Sequence, residues 1–369
     1  MTLQGLLFAV VAIPLTLIIL TVLVVVHEFG HFVTARLAGI HVLEFGIGFP
    51  PKAKVIGHDH ETEYTLNYLP IGGFVRLEGE DTDSDDPRAF TNVSLSRQLV
   101  VMVAGVTMNL LTAVLLFFIV ACVFSPGQAI KFGQVSPGSA AARAGLVGGE
   151  TIESVNGQRF GFMTSTGLVD AIAADAGKTV TIGYIDLQGN HESVVVTLGT
   201  DKSKGILGIA GPLEADGTTG PLVSVVTFTQ SDPVTAMETA IDNTRTALGL
   251  VFAGLGQLGS SIVNHPTSAP AGIQGPVGIT RDVGLVLTDY GPPVVILLAA
   301  ILSANLALIN ILPFPPLDGG KVVVLVVKRI FGARGVSAVE AAAYVVGMAC
   351  LLTFIAWISY FDIVRGGAP

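Results

Sequence analysis

Four stretches of the 369-residue chain are apolar, carry no charged side chain, and are long enough to cross a lipid bilayer. They lie at residues 6–26, 99–123, 293–312 and 341–361. The hydrocarbon core of a bilayer is about 30 Å thick, which an α-helix of about 20 residues crosses. The pattern therefore predicts four transmembrane helices.

The segments between these spans show other patterns. Residues 126–200 hold short β-like runs between glycine turns and one amphipathic stretch, which predicts a small α/β domain. Residues 246–263 are apolar but contain four glycines, a glutamine and two serines. We predict an interfacial helix there rather than a fifth span. Upstream of this stretch, Asp232-Pro233 predicts the start of a helix.

Lysine and arginine in short loops predict the orientation of the spans, because cytoplasmic loops are enriched in both. The tail before the first span has neither, and the C-terminal tail has only Arg365. The loop after the third span carries Lys321, Lys328, Arg329 and Arg334. The loop after the first span includes Lys52, Lys54, Arg76, Arg88 and Arg97, although Asp and Glu outnumber the basic residues there. We therefore expect these loops in the cytoplasm, and both termini and the long segment between the second and third spans outside it.

The composition agrees with a membrane protein. Hydrophobic residues make up 51% of the chain and charged residues 13%, far from the average of soluble domains. The formal net charge of −9 argues against nucleic-acid binding. Cys122 and Cys350 both fall within apolar spans, so no structural disulfide is expected.

The sequence His27-Glu28-Phe29-Gly30-His31 follows the first apolar run directly. On a helix, His27 and His31 project from one face one turn apart and can bind the same zinc ion. Glu28 lies beside them, where it can take a proton from water at the metal. Ionisable residues at membrane depth are costly and usually functional, which favours a metal site over a chance pattern.

A third ligand is expected from another span that ends in the same leaflet, because catalytic zinc usually takes three protein ligands. Asp318 is the one charge in the segment from Asn310 to Gly320, where prolines 313, 315 and 316 break the third span. His27 and Asp318 reach the same face of the membrane only if residues 246–263 do not cross it. A divalent ion other than zinc remains an alternative at a His₂Asp site.

With the histidine pair and the Asp318 segment together, the chain resembles the site-2 protease family of intramembrane zinc metalloproteases. The resemblance is to the bacterial branch of the regulator-of-sigma-E protease type in particular. HEFGH at 27–31 matches its HExxH motif, and residues 310–320 match its N-x-x-P-x-x-x-L-D-G motif. Gly105 and Asn109 resemble its G-x-x-x-N element, although Val106 replaces the usual proline. Residues 46–51 and 68–75 resemble the segments of its membrane-dipping β-hairpin, and Gly275-Pro276-Val-Gly278-Ile its element before the third span.

The resemblance implies that His27, His31 and Asp318 bind Zn²⁺ and that Glu28 is the general base. It implies substrate-binding roles for four further residues: Asn310, Asn109, Gly72 and Gly73. An edge strand within residues 44–75 is expected to pair with the unwound substrate. The implied substrates are single-pass transmembrane proteins in the lipid bilayer, such as an anti-sigma factor or a remnant signal peptide, after a first extracytoplasmic cut.

Residues 134–157 resemble part of a PDZ domain of the protease-associated type, and one copy is found. Lys131-Phe132-Gly133 is a weak version of its carboxylate-binding loop, which favours a filter against untrimmed substrates over a peptide receptor. The expected fold is therefore a polytopic α-helical membrane protein with four transmembrane helices, a membrane-dipping β-hairpin region and an inserted extracytoplasmic PDZ-like α/β domain.

This fold divides the chain into four segments. Residues 1–125 form the first half of the membrane core with its cytoplasmic hairpin loop, and residues 126–200 the PDZ-like domain. Residues 201–292 form an extracytoplasmic linker with interfacial helices, and residues 293–369 the second half of the core. The expected location is the bacterial inner (cell) membrane.

Two other classes of function remain open. An inactive membrane scaffold would bind partners through the PDZ-like domain, but the complete ligand set with its glutamate argues against a decayed enzyme. A metal transporter predicts polar residues spread through several spans and internal repeats, and the sequence has neither.

Overall fold

The computed structural model describes residues 3–59, 61–80, 84–161, 167–200, 205–213, 218–264 and 273–366. The chain forms two compact units, one of Met1–Phe117 with Ala247–Pro369 and one of Phe118–Thr246. The described residues form these helices and strands, in chain order: α1 (Leu3–Leu37), β1 (Val42–His58), β2 (Glu63–Leu77), a 3₁₀ turn (Phe90–Asn92), α2 (Leu95–Val123), β3 (Pro126–Lys131), β4 (Gln134–Val135), α3 (Ala140–Arg143), β5 (Thr151–Val155), β6 (Gln158–Gly161), α4 (Leu168–Ala174), β7 (Thr179–Ile185), β8 (His191–Thr197), β9 (Ile209–Ala210), β10 (Val223–Phe228), α5 (Pro233–Asn264), α6 (Pro276–Tyr290), α7 (Pro292–Asn310), α8 (Asp318–Phe331) and α9 (Ala333–Gly366).

Four helices of the described chain are long and apolar enough to cross a membrane: Val10–Leu37, Leu95–Val123, Pro292–Asn310 and Val339–Val364. Each overlaps one of the predicted stretches, so the prediction of four spans is confirmed. The first helix runs past the uncharged stretch and ends at Leu37. The HEFGH sequence therefore lies within a continuous helix, as the interpretation of its spacing requires.

The predicted helix after Asp232-Pro233 is α5, which begins at Pro233. The Asp232 carboxylate accepts the backbone N–H groups of Val234 (3.0 Å) and Thr235 (3.2 Å), which otherwise lack helical partners. The Thr235 hydroxyl and these backbone bonds lower the pKa of Asp232. Helix α5 covers residues 246–263 and is not among the candidate spans. Its interfacial position stays a prediction.

The loop between the first two spans forms a sheet of two long, bent strands. The first half of β1 lies between the two halves of β2, so that Phe45 pairs with both Tyr64 and Val75. The second half of β1 pairs with the first half of β2, as at Val55 and Thr65. In the described residues, the run 73–77 pairs with β1 on one side alone. It is therefore an edge strand.

This edge strand is attached to α1. The Thr21 hydroxyl donates to the carbonyl of Pro70 (3.1 Å) and accepts the N–H of Gly72 (3.3 Å). Gly72 has a φ of +75°, which favours glycine, and the bend it makes returns the strand alongside the helix. A Cβ on Gly73 would lie 3.2 Å from the side chain of Val25 and 3.8 Å from that of Glu28. The strand therefore runs past the helix face that carries Glu28.

The second unit contains a six-stranded antiparallel sheet in the order β10-β3-β6-β5-β7-β8. Its hydrophobic core is formed by strand and helix side chains, with Phe132, Ile152 and Ile182 fully buried. Strand β10 (Val223–Phe228) pairs along its whole length with β3. The sheet thus includes a strand that follows residue 200 in the sequence.

Asp362 is a buried carboxylate within the apolar helix α9, and the sequence pattern did not single it out. One of its oxygens accepts the N–H groups of Gly275 and Gly278, each at 2.9 Å. Both donors lie at the start of α6, where backbone N–H groups lack helical partners. Asp362 therefore caps α6 from a different helix, and the Gly275-Pro-Val-Gly278 element supplies the space it needs.

We expect Asp362→Ala to lower the free energy of unfolding by about 1–3 kcal/mol, because it leaves these buried donors without an acceptor. The measurement is the apparent unfolding temperature of the purified protein in detergent. Asp242→Ala is the control, since Asp242 forms an exposed ion pair with Arg245 on α5. Equal unfolding temperatures for the two variants would contradict the capping role.

Candidate metal centre

Helix α1 places His27 and His31 one turn apart, both buried, with their ring centroids 4.9 Å apart. The Nε2 atoms of the two rings are 3.2 Å apart and face each other. Gly30 lies between them in sequence and packs against α2. A Cβ there would lie 2.6 Å from the carbonyl oxygen of Ala104. The absent side chain lets the two helices approach closely at the level of the histidines.

Asp318 reaches the same point from the far end of the chain. Helix α7 ends at Asn310, the proline-rich segment forms tight turns, and α8 begins at Asp318. A Cβ on Gly319 would lie 2.1 Å from the carbonyl oxygen of Ile311. The glycines after Asp318 therefore permit the close approach of two backbone segments. This folds the turn back so that the carboxylate points at the histidines.

The three side chains present one atom each to a common point. Asp318 Oδ2 lies 2.8 Å from His27 Nε2 and 3.3 Å from His31 Nε2. Their side chains are 7%, 8% and 14% exposed for His27, His31 and Asp318. This is the one group of three or more potential ligand side chains found in the described residues.

The donor set fits zinc. Tetrahedral zinc with bonds of about 2.0–2.1 Å places its ligand atoms about 3.3 Å apart. Two of the three separations meet that value, and the third is a direct hydrogen-bond distance. Two imidazoles and one carboxylate are the ligand types of a catalytic site that leaves one position for water.

Helix α2 forms the opposite wall of this site. A Cβ on Gly105 would lie 2.4 Å from His31 Nε2 and 2.6 Å from His27 Nε2. Any larger residue would thus occupy the space between the ligand atoms. Gly105 therefore keeps the space between the ligand atoms open, and only the backbone of α2 closes it on that side.

The other ring nitrogens have partners on α2. His31 Nδ1 lies 2.7 Å from the carbonyl oxygen of Val101, and His27 Nδ1 lies 3.2 Å from the amide Nδ2 of Asn109. Asn109 is fully buried, and its backbone carbonyl accepts a hydrogen bond from the Ser303 hydroxyl at 2.8 Å. The predicted substrate-binding residue Asn109 therefore lies in the interior, against a histidine. The Val101 contact leaves no signal in the sequence, because its acceptor is a backbone carbonyl that any residue could supply.

Glu28, His31 and Asp318 line one cavity of 60 Å³ together with Val75 and Leu77 of the edge strand. A cavity of this size holds water molecules. The structure thus brings Glu28 and the edge strand to the ligands. Gly72 and Gly73 lie at the start of that strand, on the same side of α1.

Asn310 is placed differently. It is the last residue of α7 and is half-buried. Over the described ranges, no hydrogen bond joins its side chain to His27, His31 or Asp318. Its predicted substrate-binding role rests on the sequence motif.

Lys321 is a neighbour of the site that the sequence did not indicate. It follows Asp318 by one turn of α8 and pairs with Glu80, at 2.7 Å, just beyond β2. Burial lowers the pKa of Lys321, but the Glu80 carboxylate outweighs it and holds the pKa above its ordinary value. A raised lysine pKa stabilises the fold at every pH below the ordinary value and loses its effect only in strong base. At neutral pH the pair therefore fixes the start of α8 to the sheet.

We expect Lys321→Met to lower the free energy of unfolding by about 1–2 kcal/mol, because it leaves the Glu80 carboxylate without its partner. This loss lies between the usual costs of breaking an exposed and a buried ion pair. Adding Glu80→Gln to this variant removes the stranded charge and is expected to restore most of the loss. Urea or thermal unfolding in detergent measures both. If the double variant is no more stable than Lys321→Met by itself, the loss does not come from the stranded Glu80 charge, and the lysine acts through other contacts.

Comparison with known proteins agrees with this chemistry. The model of peptidase family M50 matches residues 15–354. A Clostridium acetobutylicum protein named "putative zinc metalloprotease" is 32% identical over 93% of this chain and 94% of its own length. A Nostoc protein with the same description is 31% identical over 90% of this chain and 91% of its own length. The chloroplastic membrane metalloprotease ARASP of Arabidopsis thaliana is 32% identical over 86% of this chain and 70% of its own length.

The family match includes the whole of the second and third candidate transmembrane helices, parts of the first and fourth, and every residue of the buried histidine–aspartate cluster. The predicted resemblance is therefore confirmed, and zinc is the metal that the names of the relatives give. This chain belongs to peptidase family M50, the site-2 protease family, and is an integral membrane zinc metalloprotease.

Proposed function

We propose that this enzyme hydrolyses a peptide bond in or near the transmembrane helix of single-pass membrane proteins. The observation that carries the proposal is the position of the site. His27, Glu28 and His31 lie inside the candidate span Val10–Leu37, and their cavity is walled by an edge strand. Water-consuming chemistry at that depth suits a substrate bond that is itself in the membrane.

In this proposal His27, His31 and Asp318 hold zinc, which supplies a Lewis acid that polarises a carbonyl and acidifies water. The Glu28 carboxylate takes a proton from water in the cavity and passes it to the leaving amine nitrogen. The buried imidazoles keep bulk water away from the ligand atoms. Helix α2 closes the opposite side through Gly105.

The edge strand at residues 73–77 is the proposed binding site for the unwound substrate segment. A transmembrane helix hides its carbonyl groups in hydrogen bonds, so the scissile segment has to unwind before attack. Residues 73–77 offer an unpaired strand edge beside the cavity that Val75 and Leu77 line. An extended substrate can add to this edge, which would align its backbone with Glu28 and the metal. Asn310 is proposed to hold the substrate backbone as well.

The tip of the sheet supports a membrane-dipping position. Four large apolar or aromatic side chains near its turns are 45–68% exposed: Phe49, Tyr68, Leu69 and Ile71. Such side chains are favourable where they enter the headgroup or acyl region of a bilayer. The sheet would then meet a substrate helix at the depth of the zinc ligands.

We assign the loops at 52–97 and 321–334 to the cytoplasm of a bacterial cell, and both termini and the segment between the second and third spans to its outside. The PDZ-like part, residues 126–200, then acts as a filter that excludes substrates whose outer domain is untrimmed, with residues 201–292 as its linker to the core at 1–125 and 293–369. Candidate substrates are an anti-sigma factor after a first cut, or a remnant signal peptide.

The test is co-expression with tagged single-pass substrates, each with and without its outer domain. We expect the wild type to cut the truncated forms within the membrane, and His31→Ala to cut none. Cutting by both enzymes would identify another protease as the source. If neither cuts while the purified wild type holds one zinc per chain, the alternative of a membrane scaffold that binds partners through its PDZ-like domain is favoured.

A further inference from the structure

The two ring nitrogens of His27 have different neighbours. Nε2 faces Asp318 Oδ2 and His31 Nε2, whereas Nδ1 faces the side-chain amide of Asn109. A neutral imidazole carries one proton, and a nitrogen that binds a metal must offer its lone pair. If Nε2 of His27 is a ligand, its Nδ1 carries the proton and requires an acceptor.

His31 shows how this requirement is met. Its Nε2 faces the common point, and its Nδ1 lies 2.7 Å from the carbonyl oxygen of Val101, which can only accept. The backbone of α2 therefore fixes the proton on Nδ1 of His31. A carbonyl or carboxylate in this position is the usual partner of a metal-bound histidine.

Asn109 occupies the corresponding position beside His27. Its Oδ1 is buried and, among the described residues, has no hydrogen-bond partner, while its Nδ2 lies 3.2 Å from His27 Nδ1. An Nδ1–H facing an amide NH₂ would set a donor against a donor. Rotating the amide by half a turn exchanges oxygen and nitrogen within nearly the same volume.

We infer that Asn109 is a positioning residue of the zinc site, and that its Oδ1 accepts a hydrogen bond from His27 Nδ1–H. This bond fixes the tautomer of His27 that presents the Nε2 lone pair to the metal. It also holds the plane of the ring against rotation. Asn109 thus does for His27 what the carbonyl of Val101 does for His31.

The architecture of α2 and α7 supports this role. Gly105 and Asn109 lie one turn apart on the same face of α2, where the glycine makes room for the ligand atoms and the asparagine touches the ring behind them. The Ser303 hydroxyl of α7 donates to the carbonyl of Asn109 and fixes its backbone. Asn109 is 0% exposed, and its side-chain amide faces His27.

The inference rests on the proposed ligand set and is independent of the substrate. Its test is the zinc affinity of the purified full-length protein in detergent, measured by competition with a chromogenic chelator, with the visible spectrum of the Co²⁺ form as a second readout. Asn109→Asp keeps an acceptor in place, and Asn109→Leu keeps the volume without one. Thr107→Val, on the exposed side of α2, is the control.

We expect Asn109→Asp and Thr107→Val to bind zinc about as tightly as the wild type with an unchanged Co²⁺ spectrum, and Asn109→Leu to bind it about 10–100-fold more weakly. Wild-type affinity in Asn109→Leu would overturn the inference. Loss of zinc from a folded Asn109→Asp would do the same, since it would show that the amide acts as a donor. This second comparison decides the matter even if the leucine variant does not fold. Zinc retained by His31→Ala would instead overturn the ligand set.

Discussion

Replacing Glu28 by glutamine is expected to slow peptide-bond cleavage by about 10³-fold, the usual contribution of a positioned general base. Glutamine has nearly the same shape as glutamate but cannot take a proton at neutral pH. Glu28 lines the 60 Å³ cavity beside His31 and Asp318 and is absent from the cluster of ligand atoms. The variant is therefore expected to bind one zinc per chain and to unfold at the same temperature as the wild type.

Three measurements on the same preparations separate these effects: the initial rate of cleavage of a truncated single-pass substrate, the zinc content, and the unfolding temperature. Glu238→Gln is the matched control, because Glu238 is exposed on α5 and lies outside the cavity. A Glu28→Gln enzyme that cleaves at the wild-type rate would show that another group moves the proton. Loss of zinc together with activity would point to a role for Glu28 in holding the metal.

The elements that the sequence predicted best are those governed by local pattern. A run without charge has to be helical in lipid, since no other local structure satisfies its backbone groups there. The spacing of His27 and His31 likewise has one geometric meaning on a helix. Both inferences needed only neighbouring residues, and a helix overlaps each of the four stretches.

The meeting of His27 with Asp318 was predicted across 291 positions, because membranes constrain topology. Each span can end in only one of two leaflets, so counting the spans between two residues decides whether they share a face. The prediction depended on residues 246–263 not forming a span, and α5 is not a candidate span. A soluble protein would have offered no such constraint.

Contacts that depend on tertiary packing were beyond the sequence. Asn109 is polar at membrane depth, which indicates a function, but its partner His27 is 82 positions away and only the packing of α1 on α2 reveals it. The same holds for Asp362, whose partners Gly275 and Gly278 are backbone donors. Helix α8 is a further element that the sequence analysis does not predict, because Lys321, Lys328 and Arg329 indicate a cytoplasmic loop by their charge.

Gly105→Ala is expected to weaken zinc binding by more than about 100-fold, a larger loss than that of a residue that only orients a ligand. The added methyl group would lie 2.4 Å from His31 Nε2 and 2.6 Å from His27 Nε2, inside the space that the ligand atoms share. Relief requires either rotating both imidazoles or moving α2 away from α1. The first displaces the ligands, and the second costs about 1–3 kcal/mol of packing.

The matched control is Gly254→Ala on α5, where an added Cβ meets no atom within 4 Å. That substitution is expected to stabilise the helix by about 0.5–1 kcal/mol and to leave zinc binding unchanged. Equilibrium dialysis against zinc, with the unfolding temperature of each metal-free form, distinguishes a blocked site from a destabilised fold. If Gly105→Ala binds zinc as tightly as the wild type, the expectation is contradicted, because an added methyl group then fits between α2 and the two histidines. The expected result, a folded protein without its metal, would show that this glycine holds open the space in which the reaction takes place.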